Sequence, residues 1–260
     1  MGMRHLRRLV KHGGWITFSI AILFVVTRAV PEPVLRGAIE VGGNFLQTFG
    51  GIYGIIVAFA IYVTWGEHND TQVAIEREAV SLLELYRVLG WFPTWVERGA
   101  VRQQLHRYAL TVPKAHLPHA AGNDRQEHEM LDKSLASFLS HSPGSPTEER
   151  LFPHALSLFH ELNEAREHRV TVANLKLPNG LRWFVFIGGA ICVGALDLLW
   201  VDSFAIHAAL VAGMTWVIVA AASITVDLDD PYAGDFVVDW QRFHKTADLM
   251  EQTECNGAGP

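Results

Sequence analysis

The chain is poor in cysteine, with only Cys192 and Cys255 in 260 residues. One lies in an apolar run and the other in a polar tail, so neither a disulfide nor a zinc site is expected. Positive charge is missing over a long stretch: no Lys or Arg stands between Arg182 and Arg242. Catalytic signatures are missing as well. There is no G-x-S-x-G, no Walker loop and no dinucleotide fingerprint, which leaves little for an enzyme to work with. "HELNEAREH" carries His160 and Glu161 but has Glu164 where a zinc protease needs its second histidine. His168, eight residues after His160, shares its helical face, but a solvated surface is the simpler place for both. "HLPH", His116 to His119, forms no intact histidine cluster. No alternating strand pattern, low-complexity tract or internal repeat occurs. A net charge of −6 argues against nucleic acid as a partner.

Long apolar runs, by contrast, are abundant. The apolar fraction is 50% and the mean hydropathy +0.17, but the apolar residues are unevenly spread. Trp15–Val30, Phe45–Trp65, Trp183–Val201 and Phe204–Val226 are almost free of charge. About 20 mostly apolar residues cross a bilayer as a helix, so four membrane spans are expected. The basic start with Arg4, Arg7, Arg8 and Lys11 lacks a following small-x-small cleavage site, and reads as an uncleaved anchor. These bases predict a cytoplasmic N-terminus, and four crossings return the C-terminus to the same side, giving a multi-pass protein of the inner (plasma) membrane. The base-free turn at Asp202–Ser203 suits the outside; Arg28 and Arg36, beside Glu32 and Glu40, run against it.

The division expected is 1–65 for the basic segment and spans one and two, 66–180 for a cytoplasmic helical domain, 181–226 for spans three and four, and 227–260 for an acidic cytoplasmic tail. No proline interrupts Phe45 to Phe92, so span two is expected to continue as one rod, ended by Pro93. A second helix is expected to end at Pro113. A third lies between Gly122 and Pro143, and a fourth ends before Pro178. The chain reads as all-α. Of the ionisable groups near the spans, Arg28, Asp197 and His207 either snorkel to the interface or line a polar path. One chain has few polar groups for such a path, and several copies around an axis build it more easily.

After the last apolar run comes "ITVDLDDPYAGDF", with Asp227, Asp229, Asp230 and Asp235 close together. Carboxylates are hard ligands suited to calcium. The alternative is that they cap helices or face basic side chains of this chain or its neighbour. Calcium is the one candidate ion, and no cofactor is otherwise indicated.

"FGGIYGIIVAFAIYVTW" running into "NDTQVAIEREAVSLLELYR", then "LHRYALTV", "NEAREHRV", "LPNGLRWFVFIGG" and "LDDPYAGDFVVD" arrive in a recognisable order. From about Gly50 to Asp239 the chain resembles the bacterial bestrophin-like domain family. That resemblance implies a distant tie to bestrophins, pentameric four-span channels selective for anions. It also implies a calcium role for the segment around Asp230, Pro231, Tyr232 and Gly234, although the dense acid run of bestrophins is thinned here to Asp235 and Asp239. A segment similar to "IYVT", Ile61 to Thr64, lies near the bestrophin neck. Matching on it puts Tyr53, Val57 and Ile61 on one stripe facing a shared axis, as a hydrophobic constriction. The plainer alternative is that the stripe packs against neighbouring spans, with Ile52, Ile56 and Phe59 next in line as the constriction.

The expected function is therefore a homo-oligomeric channel, passing anions such as chloride, with membrane lipid and copies of itself as partners. The reading from a different class is a membrane-anchored interaction or signalling protein whose helical domain binds a partner. An enzyme is not expected.

Overall fold

A computed structural model describes residues 3–93, 95–115 and 124–257. His116 and His119 lie outside the described residues, as do the side chains of Arg4, Arg7, Arg8, Lys11 and Cys255. Among the described residues the elements are α1 Met3–Ala29, α2 Glu32–Gly37, α3 Ile39–Leu89, α4 Arg98–Ala115, α5 Asp124–Leu139, α6 Pro146–Ala173, α7 Asn179–Asp197, α8 Phe204–Leu228 and α9 Gln241–Gly257, with no strand. The chain divides into two compact units. Residues 1–66 and 176–229 form the first, and 67–175 with 230–260 the second.

In the first unit, α1, α3, α7 and α8 are each long and apolar enough to cross a membrane. Lipid tails are as apolar as leucine, so packing and buried polar contacts must hold such helices together. Leu23 of α1, Leu196 of α7 and Val211 of α8 meet in one cluster. Ser19 accepts a hydrogen bond from Thr215 at 3.1 Å, and His12 lies 3.2 Å from the Ser223 hydroxyl. Both contacts tie α1 to α8.

α3 runs unbroken for 51 residues, about 76 Å at 1.5 Å per residue, as the absence of proline predicts. It ends at Leu89, four residues before Pro93, because the chain turns at Gly90 and Trp91. α4 runs through Pro113 to Ala115 instead of stopping there. A proline so near a helix end removes one backbone bond and leaves little helix beyond to disrupt. The short α2, which follows Pro31, and the tail helix α9 were not evident from the sequence.

The second unit has a continuous apolar core. Ile75, Leu82, Leu85, Tyr86 and Leu89 of α3 meet Leu105 and Tyr108 of α4, Phe138 of α5, Leu158 and Leu162 of α6, and Phe243 and Met250 of α9. These positions recur at helical spacing, which is what one buried face per helix requires. α6 begins with a cap read directly from "SPTE". Ser145 Oγ accepts from the Glu148 amide at 3.3 Å, the Glu148 carboxylate accepts from the Gly144 amide at 2.9 Å, and Pro146 holds the first helical position.

Candidate functional site

Tyr53 and Val57 are 7% and 6% exposed and pack with Ala60, Val185, Cys192 and Ala222, so their stripe turns inward to α7 and α8 of the same chain. Ile61 is half-buried beside them. The Tyr53 ring sits in a notch made by two glycines of α7. A Cβ on Gly188 would lie 2.6 Å from the ring, and one on Gly189 would run into Ile218 and the Tyr53 hydroxyl. That hydroxyl donates to the Val185 carbonyl at 2.9 Å. A side chain at Gly188 would have to displace the Tyr53 ring, and one at Gly189 would have to displace Ile218 of α8 and the Tyr53 hydroxyl.

Beside the notch, Gly50, Tyr53, Gly54, Val57, Ile61 and Cys192 contribute to the lining of an apolar cavity of about 460 Å³ between α3, α7 and α8. The stripe expected at a shared axis thus lines a groove between α3, α7 and α8 whose rim, at Gly54, Ala58 and Val217, is exposed. The opposite face of α3 is left open, with Ile52 53%, Ile55 73%, Phe59 58% and Tyr62 75% exposed. Ile56 is half-buried between the two faces.

The acids after α8 have separate surroundings. Asp229 is buried and fully engaged. One carboxylate oxygen accepts from the Leu177 amide at 2.6 Å, the other from Arg182 at 2.5 Å, and its backbone carbonyl takes the Lys176 ammonium at 2.7 Å. The cytoplasm-facing end of α8 expected from the charge pattern is thereby tied to the start of α7. Asp227 is half-buried at the end of α8, and Asp230 and Asp235 are exposed. Asp230 accepts from the Tyr232 amide, a local turn bond. Pro231 and Gly234 turn the chain: Val238 donates to the Pro231 carbonyl, and Gly234 has a φ of 91° that suits glycine. Among the described residues no three His, Cys, Asp or Glu side chains converge as metal ligands do. His160 and His168 are exposed on α6.

Sequence reasoning missed the polar centre of the second unit. Glu78, Glu127 and Arg169 are fully buried. Arg169 donates from Nε to Glu78 at 2.5 Å and from Nη2 to Glu127 at 2.7 Å, Tyr108 donates to the second Glu78 oxygen at 2.5 Å, and Arg166 stands 3.8 Å from Glu127. Burial raises the Tyr108 phenol well above its ordinary range, and Glu78 raises it further. Burial by itself would lower the Arg169 guanidinium, but Glu78 and Glu127 outweigh it and the net shift is upward. The signal was present as charged residues inside otherwise apolar helical faces, but nothing local paired them.

The bases that ran against the expected topology are occupied. Arg36 bonds Glu32 at 2.8 Å and Asp202 at 3.4 Å and lies over the Trp200 ring, and Arg28 lies over Phe24. Asp197 and His207, expected either to snorkel to the interface or to line a polar path, are buried within the first unit at the end of α7 and the start of α8.

A family model described as the Bestrophin-like domain matches residues 13–243. No curated protein matches the chain. Among solved structures, a tryptophan-to-alanine variant of a bacterial bestrophin homologue from Klebsiella pneumoniae is 11% identical with a TM-score of 0.71, over 97% of this chain and 98% of that one. Another structure of that homologue, also 11% identical, gives a TM-score of 0.67 over 98% and 99%. A glycine-to-alanine variant of a membrane protein, 10% identical, gives 0.73 over 97% and 100%. At such identities the likeness is one of fold.

Proposed function

The chain belongs to the Bestrophin-like domain family, and from that premise we propose that several copies of it, five by analogy with bestrophins, assemble into a membrane channel that passes anions such as chloride. The observation that carries the reading is the open face of α3. Ile52, Ile55, Phe59 and Tyr62 recur at three- and four-residue spacing and stay exposed in the single chain. Residues around a shared axis have to be those that one chain leaves uncovered. A ring of apolar side chains gates by shedding water, without burying charge. Tyr53, Val57 and Ile61 then support α3 from behind and do not line the pore.

In this reading both termini and the helical unit lie in the cytoplasm, and the protein sits in the plasma membrane. Asp229 holds the end of α8 through Arg182 and Lys176. Calcium at Asp227, Asp229, Asp230 and Asp235 is then an addition to a contact already neutralised by bases of the same chain.

Reconstitution into liposomes tests the function: the protein is expected to collapse an imposed chloride gradient, and the detergent-purified particle to be a pentamer. Ile52→Ala with Phe59→Ala is expected to raise flux several-fold, while Val57→Ala with Ile61→Ala changes assembly or stability more than flux. A monomer, or liposomes that keep their gradient, overturns the channel and favours the anchored interaction protein. The reverse result for the two double variants returns the constriction to Tyr53, Val57 and Ile61. Labelling of Ser203→Cys from outside, in a background lacking Cys192 and Cys255, tests the topology; labelling only after permeabilisation inverts it.

A further inference from the structure

We propose that the groove between α3, α7 and α8 is where successive copies of the chain meet: it receives the bulky side of α3 from the next copy. Small residues form the α3 wall of the groove, with Gly50, Gly54 and Ala58 four residues apart on one side of the helix. The glycines of the first unit differ in what they accommodate. A Cβ on Gly42, Gly188 or Gly189 would collide with side chains of the same chain, so those three serve the fold itself. A Cβ on Gly50 or Gly54 would meet nothing within 4 Å. The room left by these two is not used by the chain that carries them.

The occupant has to be apolar. The groove lies along helices apolar enough to cross a membrane, and the Tyr53 hydroxyl beside it is committed to the Val185 carbonyl. Cys192 adds only a weakly polar thiol. A space of about 150 Å³ takes one benzene ring, so a volume of about 460 Å³ has room for roughly three. The other side of α3 supplies bulky groups. Phe45, Phe49, Ile52, Ile56 and Phe59 recur at alternating four- and three-residue spacing, roughly opposite Gly50, Gly54 and Ala58 around the helix. Phe45, Ile52 and Phe59 are exposed and Phe49 and Ile56 half-buried, and Phe45 stacks on Phe49 with ring centres 5.3 Å apart.

In hydrocarbon, helices associate by close packing, for which small residues make room. A two-fold contact sets a surface against its own copy, whereas a heterologous contact joins two different surfaces and can close into a ring. α3 carries two different surfaces, one recessed and one bulky. A two-fold pairing would leave the bulky side without a recess; the heterologous one puts large into small at every junction. Ile55 and Tyr62 lie between the two sides, with Ile52 and Phe59 at the border, so the open face is what remains for the axis. The interface rests on the self-assembly proposed above, and not on conduction.

Disulfide trapping in membranes tests it without any flux measurement. In a background with Cys192→Ala and Cys255→Ser, Gly54→Cys is paired with Ile52→Cys in one protein and with Ile56→Cys in another. Within one chain these positions lie on opposite sides of a helix and cannot bridge. Oxidation is expected to give a ladder of linked copies in at least one double variant and none in any single variant. Dimers from Gly54→Cys alone overturn the proposal in favour of a two-fold contact. No linkage in either double variant, with the purified particle still oligomeric, also overturns it; the groove then belongs to lipid tails while self-assembly stands. A monomeric wild type overturns the interface together with the self-assembly it rests on. Gly54→Leu supplies a second readout, because it fills the groove at a position where a Cβ meets open space in the single chain. The oligomer is expected to give way to monomer with helical circular dichroism unchanged, and an intact Gly54→Leu oligomer overturns the interface.

Discussion

Replacing Arg169 by Met tests the physics of the second unit most directly. The guanidinium lies between two fully buried carboxylates, at 2.5 Å from Glu78 and 2.7 Å from Glu127. Methionine fills much of the volume but supplies neither charge nor donor. Glu78 then keeps only the Tyr108 hydroxyl, and the nearest base to Glu127 is Arg166 at 3.8 Å. Removing one partner of a buried pair costs about 3–5 kcal/mol. Two carboxylates are stranded here, so the upper end applies, against a total stability of roughly 5–15 kcal/mol. At about 2–4 °C per kcal/mol for a chain of this size, Tm should fall by about 10–20 °C. Helical circular dichroism during thermal unfolding in detergent measures it. If the loss comes from uncompensated charge, then Arg169→Met combined with Glu78→Leu, Glu127→Leu and Tyr108→Phe should regain most of the lost stability, because apolar replacement of a whole buried ionic group is often neutral or better. A single variant within about 2 °C of wild type, or a combined variant no better than the single one, refutes the reasoning.

Gly189→Ala places a methyl group against Ile218 and 2.9 Å from the Tyr53 hydroxyl; overpacking of this kind costs about 1–3 kcal/mol. A lowered Tm is expected, and for Gly188→Ala partial rescue by Tyr53→Leu; no rescue means the ring is not what the glycine accommodates. Asp229→Asn removes the charge facing Arg182 and should lower Tm by several degrees, while Asp230→Asn, exposed, should change it little. Calcium titration of wild type and the Asp229→Asn, Asp230→Asn double variant completes that test: stabilisation of wild type alone assigns calcium to these acids. Tyr108 gives a pH dependence with a definite sign. Its folded phenol titrates well above the ordinary 10.0, so above about pH 10 the unfolded chain loses a proton that the native chain keeps, and stability falls as pH rises, by up to about 1.4 kcal/mol per unit. Alkaline unfolding of Tyr108→Phe should show a shallower slope than wild type; an equal slope removes Tyr108 from the titration.

The sequence by itself determined the properties carried by short stretches of chain. Four apolar runs long enough for a bilayer, helical spacing in between and the absence of strand patterning fix an all-α protein with candidate spans, and the unbroken α3 follows from the lack of proline between Phe45 and Phe92. The motif order from "FGGIYG" to "DPYAGDF" pointed to the family. Periodicity even grouped Tyr53, Val57 and Ile61 correctly on one face. It could not say what that face meets, because spacing along a helix defines its sides and leaves the neighbour of each side undefined. That neighbour is the Gly188–Gly189 notch, more than a hundred positions away in the chain. Glu78 and Arg169 meet across 91 positions and Arg169 and Glu127 across 42, so no local signal linked them. Asp229 likewise stood in the sequence as either a calcium ligand or a partner of basic side chains, and only the fold brings Arg182 and the Leu177 amide to it across 47 and 52 positions. Charges pair by distance in space, and in a helical protein only the packing of the helices decides that distance.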